Sequence, residues 1–324
     1  MYQTVHKKRT PMLKLIFQRL LMSIPLLFAV TFLTFFLNSF APTDLAQTIL
    51  GADSTKEQYL ALRAEMGLDQ PLIVQYGAWA ARVLHGDLGV SFFTKESVAE
   101  LLNGRIGVTL SIMVGVLFVI VTAGIGLGVL SAIKGGWLGR FLDALSLMGL
   151  VFPSFFVALV YIVVFAVWLK WLPATGYTPI ASDAKQWALG LVLPILAVST
   201  YFTSVVAKQT REAMNDVMGR DFIRSLRASG VSETAVVLKH CLRNASLPVV
   251  TSLGLIMVNA MASAVFVERA FVLPGLGSLA VGAAGQADIT LMLGCTLYFA
   301  LMSVVINLLV DLSYGWLNPK VRAS

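Results

Sequence analysis

The chain has 324 residues, of which 57% are hydrophobic and 13% charged, with a mean hydropathy of +0.81. An ordinary soluble domain carries about 25% charged residues, so the composition excludes one and points to an all-α integral membrane protein. The net charge of +7 is read as a topological signature and not as a nucleic-acid footprint.

Six apolar runs reach the roughly 20 residues that a crossing needs, at 15–37, 106–133, 142–169, 187–207, 247–267 and 289–310. They predict a short tail at 1–14, a first transmembrane helix at 15–37 and an external helical segment at 38–105. The other five helices fall within 106–313, which includes a cytoplasmic loop at 208–246, and a second tail covers 314–324. Basic residues precede the first run, as in a signal peptide. Its length and the lack of a small-residue cleavage site before Pro42 mark it instead as a retained span.

In the external segment, Ser54-Thr55-Lys56-Glu57 opens a helix that Gly67 ends, and Pro71 stands at a permitted first-turn position of a second. Either a small cap that receives a partner or a packing lid fits this pattern. The second run holds Gly124, Gly126 and Gly128, which include a Gly-x-x-x-Gly pair suited to close helix approach. Pro25, Pro153 and Pro194 each favour a kink, and Phe152, Pro153 and Ser154 are read as a structural bend or as a gate.

Between the fourth and fifth runs lies the longest basic loop. Asp221, Phe222, Ile223, Arg224, Ser225, Leu226, Arg227, Ala228 and Ser229 predict a short amphipathic helix. Phe222, Ile223 and Leu226 lie on one face, and Arg220, Arg224 and Arg227 on another. Gly230 suits the left-handed position that ends it, and Ser232 with Glu233 can cap the next helix. In the fifth run Asn259 and Ser263, four apart on one face, are read as interhelical hydrogen-bonding groups or as pathway lining.

Lysine and arginine set the orientation. The segments that include the two tails and the 208–246 loop hold 16 of them and the opposite side holds 8, which places both termini in the cytoplasm. No run carries an ionisable residue at its middle, with Lys170, Glu268 and Asp311 standing at ends, so no proton or sodium relay is visible. No Gly-Lys dipeptide exists for a phosphate loop, and His6, His85 and His240 all fall outside the runs. Cys241 and Cys295 give no disulfide or metal framework. No catalytic residue, metal site or cofactor is assigned to the chain, which is not read as an enzyme.

Several motifs, taken in order, carry a resemblance. They are Gly67-Leu68-Asp69-Gln70-Pro71 with Gln75-Tyr76, then Gly86-Asp87-Leu88-Gly89-Val90-Ser91. Gly230 with His240-x-Leu242-Arg243-Asn244-Ala245 and Leu247-Pro248 follows, then Glu268-x-x-Phe271-x-x-Pro274-Gly275-x-Gly277, then Asp311 with Asn318-Pro319-Lys320-Val321-Arg322. Together they resemble the permease subunits of the dipeptide, oligopeptide and nickel branch of ATP-binding-cassette importers, over nearly the whole chain. Leu226 stands where relatives carry a small alanine, and Gln286-Ala287-Asp288-Ile289-Thr290 departs from the family's usual pattern.

The resemblance implies a bacterial inner-membrane protein in which residues 221–230 form the helix that couples to an ATPase. It implies ATP and Mg on two separate ABC ATPase subunits, a second homologous permease subunit, an extracytoplasmic solute-binding protein, and no nucleic acid. Peptides and nickel or metal chelates are the implied cargo. Trp171-Leu172-Pro173-Ala174-Thr175-Gly176-Tyr177 and Arg227-Ala228-Ser229-Gly230 lean toward the chelates. A non-transporting scaffold or receptor subunit and an ion-coupled carrier are the alternatives.

Overall fold

The computed structural model describes residues 12–40, 45–51, 54–134 and 136–317. Lys7, Lys8, Arg9, Pro42 and the 318–322 motif lie outside the described residues. The regular elements described are helices, and the one β-type pairing is an isolated bridge between Val90 and Ser97. In chain order they are α1 (Met12–Asn38), α2 (Leu45–Leu50), α3 (Lys56–Glu65), α4 (Leu72–Leu84), α5 (Val98–Ile133), α6 (Gly136–Met148) and α7 (Ser154–Trp168). Then come α8 (Ala184–Met218), α9 (Asp221–Ala228), α10 (Glu233–Ala270), α11 (Leu276–Gly285) and α12 (Ile289–Leu317). Within α5, α7 and α10 one stretch is wound as a π-helix: Ile120–Gly124, Ile162–Trp168 and Val236–Cys241.

Five of these helices, α1, α5, α8, α10 and α12, are long and apolar enough to cross a membrane, so the chain is an all-α membrane protein. The third of the six expected runs is divided. Helix α6 stops at Met148, turns occupy 149–152, and α7 restarts at Ser154 behind Pro153. A proline disfavours the helical conformation in the residue before it and is itself tolerated where a helix begins. The loop expected at 208–246 is mostly helical as well. Helix α8 runs on to Met218 and α10 begins at Glu233, which leaves only short turns on either side of α9.

Two compact units divide the chain. The first is built on Leu110–Leu273 with the beginning of α1 and the end of α12. Helix α8 is its centre, with α5, α6, α7 and α10 packed around it. A Cβ on Gly124 would lie 2.9 Å from Val206, and one on Gly128 would lie 2.6 Å from the Ala207 carbonyl, so the Gly-x-x-x-Gly pair does allow α5 to reach α8. Gly126 faces open space. Arg211 of α8 forms an ion pair with Asp143 of α6.

The second unit is Gln18–Thr109 with Pro274–Val304. Thr55 and Gln58 close a reciprocal capping box on α3, and Gly67, at φ +67°, follows its C-terminus. Such a cap is worth about 1 kcal/mol. Helix α4 starts after Pro71 and lays Tyr76 and Trp79 against α1, where the Tyr76 hydroxyl donates to the Phe28 carbonyl at 2.9 Å. Asp288 is buried and accepts from the Ser91 hydroxyl at 2.6 Å, the Phe92 N–H at 3.1 Å and the Leu291 N–H at 3.1 Å. It thereby ties the 86–91 motif to the start of α12.

Candidate functional site

Four of the five residues singled out for a pathway meet at one cavity of about 620 Å³ in the first unit. Pro153 and Ser154 enter it from the start of α7, and Asn259 and Ser263 from α10. Phe152 is not in its wall; it is partly exposed and stacks on Phe156 at 5.6 Å. The break before α7 brings Phe155 to the cavity, and Tyr201, Phe202 and Gln209 line it from α8. Ser252 and Phe266 add to the face of α10.

No lining residue is charged. Aromatic rings supply the apolar wall, and amides and hydroxyls supply the polar positions, the usual composition of a small-molecule site. The Ser252 hydroxyl donates to Gln209 Oε1 at 2.6 Å, which fixes that amide between α8 and α10. The Asn259 amide donates to the Leu255 carbonyl one turn back at 2.8 Å. The Tyr161 and Thr200 hydroxyls lie 2.9 Å apart, joining α7 to α8.

Gln209 escapes a reading of the sequence because hydropathy falls at residue 208 and the stretch then looks like a loop. Its only signal is the continuing 3.6-residue periodicity through Met214 and Val217, both buried. Phe155, Tyr201, Phe202 and Phe266 are hard to pick out because aromatic residues are common in all the spans.

The second predicted site is the hairpin that contains α9. Asp221 opens it, where a carboxylate opposes the positive helix end. Ser229 and Gly230 close it, with the Val231 N–H bonded to the Leu226 carbonyl at 3.2 Å and Gly230 at φ +76°. Ser232 occupies the N-cap position of the next helix, but its side chain makes no capping bond.

The three apolar residues of α9 do not share one fate. Ile223 is fully buried among Val129 of α5, Met214 and Val217 of α8, and Val236, Val237 and Cys241 of α10. Leu226 packs partly against the same cluster, so the bulk it has over alanine is directed into the chain's own core. Phe222 is left 40% exposed. Ser225 and Ser229 hydroxyls bond back along the helix, and Arg224 lies 3.6 Å from Asp221. Arg227 grips both oxygens of Glu233, at 3.0 and 2.5 Å, and this pairing raises its already high pKa. The turn is therefore clasped from helix α9 to the first residue of α10, with Ala228 exposed between them.

Residues 124–323 match the family described as binding-protein-dependent transport system inner membrane component, and residues 12–113 match the N-terminal family of such membrane components. The chain belongs to this family, as a permease subunit of the peptide and oligopeptide branch of ABC importers and a multi-pass inner-membrane protein. It is 36% identical to a putative peptide transport system permease protein of Brucella abortus, over 96% of this chain and 99% of the relative. A probable peptide ABC transporter permease protein of Sinorhizobium fredii is 35% identical, over 95% of this chain and 98% of the relative. A glutathione transport system permease protein of Salmonella paratyphi A is 36% identical, over 96% and 99%.

Proposed function

We propose that this chain forms one side of the pathway through which an ATP-driven importer passes short peptides. The observation that carries the reading is that α8 and α10 each bear both a wall of the cavity and part of the hairpin's core. Gln209 and Met214 stand on α8, and Ala245 and Ser252 on α10. A push on α9 is thus delivered to the two helices that line the cavity, and residues 221–230 act as the coupling element.

Peptide is the preferred cargo because the relatives above are named for peptides and glutathione, and because uncharged amides and hydroxyls suit the amide groups of a peptide backbone. The lean toward nickel and metal chelates finds no counterpart in those names. Two ABC ATPases would supply ATP and Mg, a second homologous permease would complete the pathway, and an extracytoplasmic binding protein would deliver the solute. Both termini and the hairpin are assigned to the cytoplasm by the positive-inside rule.

The test is peptide uptake and peptide-stimulated ATP hydrolysis by the assembled complex in vesicles. Gly230→Val meets the left-handed penalty of about 1–2 kcal/mol in its own backbone, since a Cβ there touches nothing. Phe222→Asp removes the exposed ring. Both variants are expected to insert normally and to lose stimulated hydrolysis and uptake together. Uptake at the unmodified rate in both would overturn the coupling role.

A further inference from the structure

The second unit holds a pair of cavities that the transport reading does not use, and Trp79 lines both. One is apolar, about 210 Å³, walled by Ile24, Leu27 and Phe28 of α1, Leu84 of α4 and Leu297 of α12. The other, also about 210 Å³, carries Gln70, Gln75 and Arg82. Phe35 of α1 lines the polar cavity and Ile24 the apolar one. At about 1.5 Å per residue their eleven-residue separation is about 16 Å along α1, so the polar cavity sits toward the Asn38 end and the apolar one nearer mid-span.

Trp79 is 5% exposed, and its indole Nε1 has no hydrogen-bond partner among the described residues. A buried N–H without an acceptor costs about 1–3 kcal/mol, so an acceptor from outside the chain is called for at this point. Arg82 makes no ion pair among the described residues, and neither cavity is lined by a carboxylate. The rim of the apolar cavity is open, with Leu84 73% and Ile24 47% exposed. A dry apolar space of about 150 Å³ accepts a six-carbon ring, so this one has room for a stretch of acyl chain.

We propose that Trp79 marks a built site for one anionic glycerophospholipid. The acyl chain lies in the apolar cavity, an ester carbonyl accepts from the indole N–H, and the headgroup phosphate lies toward Arg82. The order of chemistry along α1, from apolar to hydrogen-bond donor to cation, is the order along such a lipid. This site is separate from the cavity between α7, α8 and α10, and its test does not depend on transport.

The complete permease complex would be reconstituted with phosphatidylglycerol or phosphatidylcholine, extracted gently and weighed by native mass spectrometry. Phosphatidylglycerol is expected to remain bound at one copy per chain, saturably, and more strongly than phosphatidylcholine. Trp79→Phe keeps the ring and removes the donor, and should lower retention by about tenfold, the equivalent of 1.4 kcal/mol. Arg82→Gln should erase the preference between the two lipids while leaving acyl binding. Leu297→Trp, which fills the apolar cavity, should abolish retention. The proposal falls if the unmodified complex keeps no lipid, or if Trp79→Phe and Leu297→Trp retain as much as it does. It also falls if a photoactivatable group at Leu84 crosslinks to another protein subunit in place of lipid.

Discussion

Residues 149–153 and 190–194 carry nearly the same pentapeptide, Gly-Leu-Val-Phe-Pro and Gly-Leu-Val-Leu-Pro, and the chain treats them in opposite ways. The first interrupts a helix, and the second lies unbroken inside α8. Both prolines have a glycine four residues back, where the missing hydrogen bond falls. Surroundings make the difference. Leu191, Leu193 and Pro194 are buried at the centre of the first unit, where opening the helix would pull apolar side chains out of their packing. Val151 and Phe152 are exposed, and the chain there keeps its N–H groups bonded through short turns, Leu150 to the Leu147 carbonyl at 3.0 Å and Val151 to that of Met148 at 3.2 Å. Local sequence proposes a break in both places, and packing permits it in one.

The sharpest way to break this comparison is to make one substitution at both glycines. A Cβ on Gly149 would stand 2.7 Å from the Thr200 carbonyl and closer still to the Ser204 hydroxyl, whereas one on Gly190 would have only the Gly176 carbonyl near, at 3.8 Å. Gly149→Ala is therefore expected to destabilise by about 1–3 kcal/mol, and Gly190→Ala to stabilise by up to about 1 kcal/mol. Equal shifts in thermal unfolding of the purified permease would show that the two sites do not differ in packing.

Pro153→Ala probes the functional side of the same contrast. Proline at a compatible position contributes about 0.4–1 kcal/mol through the unfolded chain, so stability should change little. Its ring lines the cavity, and uptake should fall severalfold. Unchanged uptake would make the break a packing device only. The smallest effect is expected from Tyr161→Phe, which removes the hydroxyl contact to Thr200 that ties α7 to α8. Interhelical bonds of this kind average about 0.6 kcal/mol, and a loss above about 2 kcal/mol would mean that the broken helix depends on this one contact.

What the sequence makes legible follows from the range of the interactions. The opening of α3 within 54–57, the Gly67 and Gly230 turns and the start of α4 behind Pro71 are set by neighbours a few residues away, and all are found where the spacing predicts them. The amphipathic face of α9 is legible too. That Ile223 turns into the chain while Phe222 stays outside is not, because the cluster that decides it comes from three other helices. The anchoring role of Asp288 is not legible in the 286–290 stretch, since its partner Ser91 lies 197 positions away. The wall of the cavity is half visible in the sequence. Polar residues stand out in an apolar run, but the rings that complete the wall do not.

The π-wound stretch at Ile120–Gly124 has a consequence for the meshing of α5 with α8. From Gly115 to Gly124 an ordinary helix makes about two and a half turns, which would set the two glycines on opposite sides of the rod. Yet Gly115 abuts Ile195, Gly124 abuts Val206 and Gly128 abuts Thr210, all on α8. The wider winding absorbs about one residue and brings Gly124 roughly 100° back in phase. It works like a dropped tooth on a gear, letting both halves of α5 engage the same neighbour. Deleting a single residue there would restore even pitch and still leave both sets of glycines facing the seam, whereas winding the full-length stretch as ordinary helix would turn one set roughly 100° out of it.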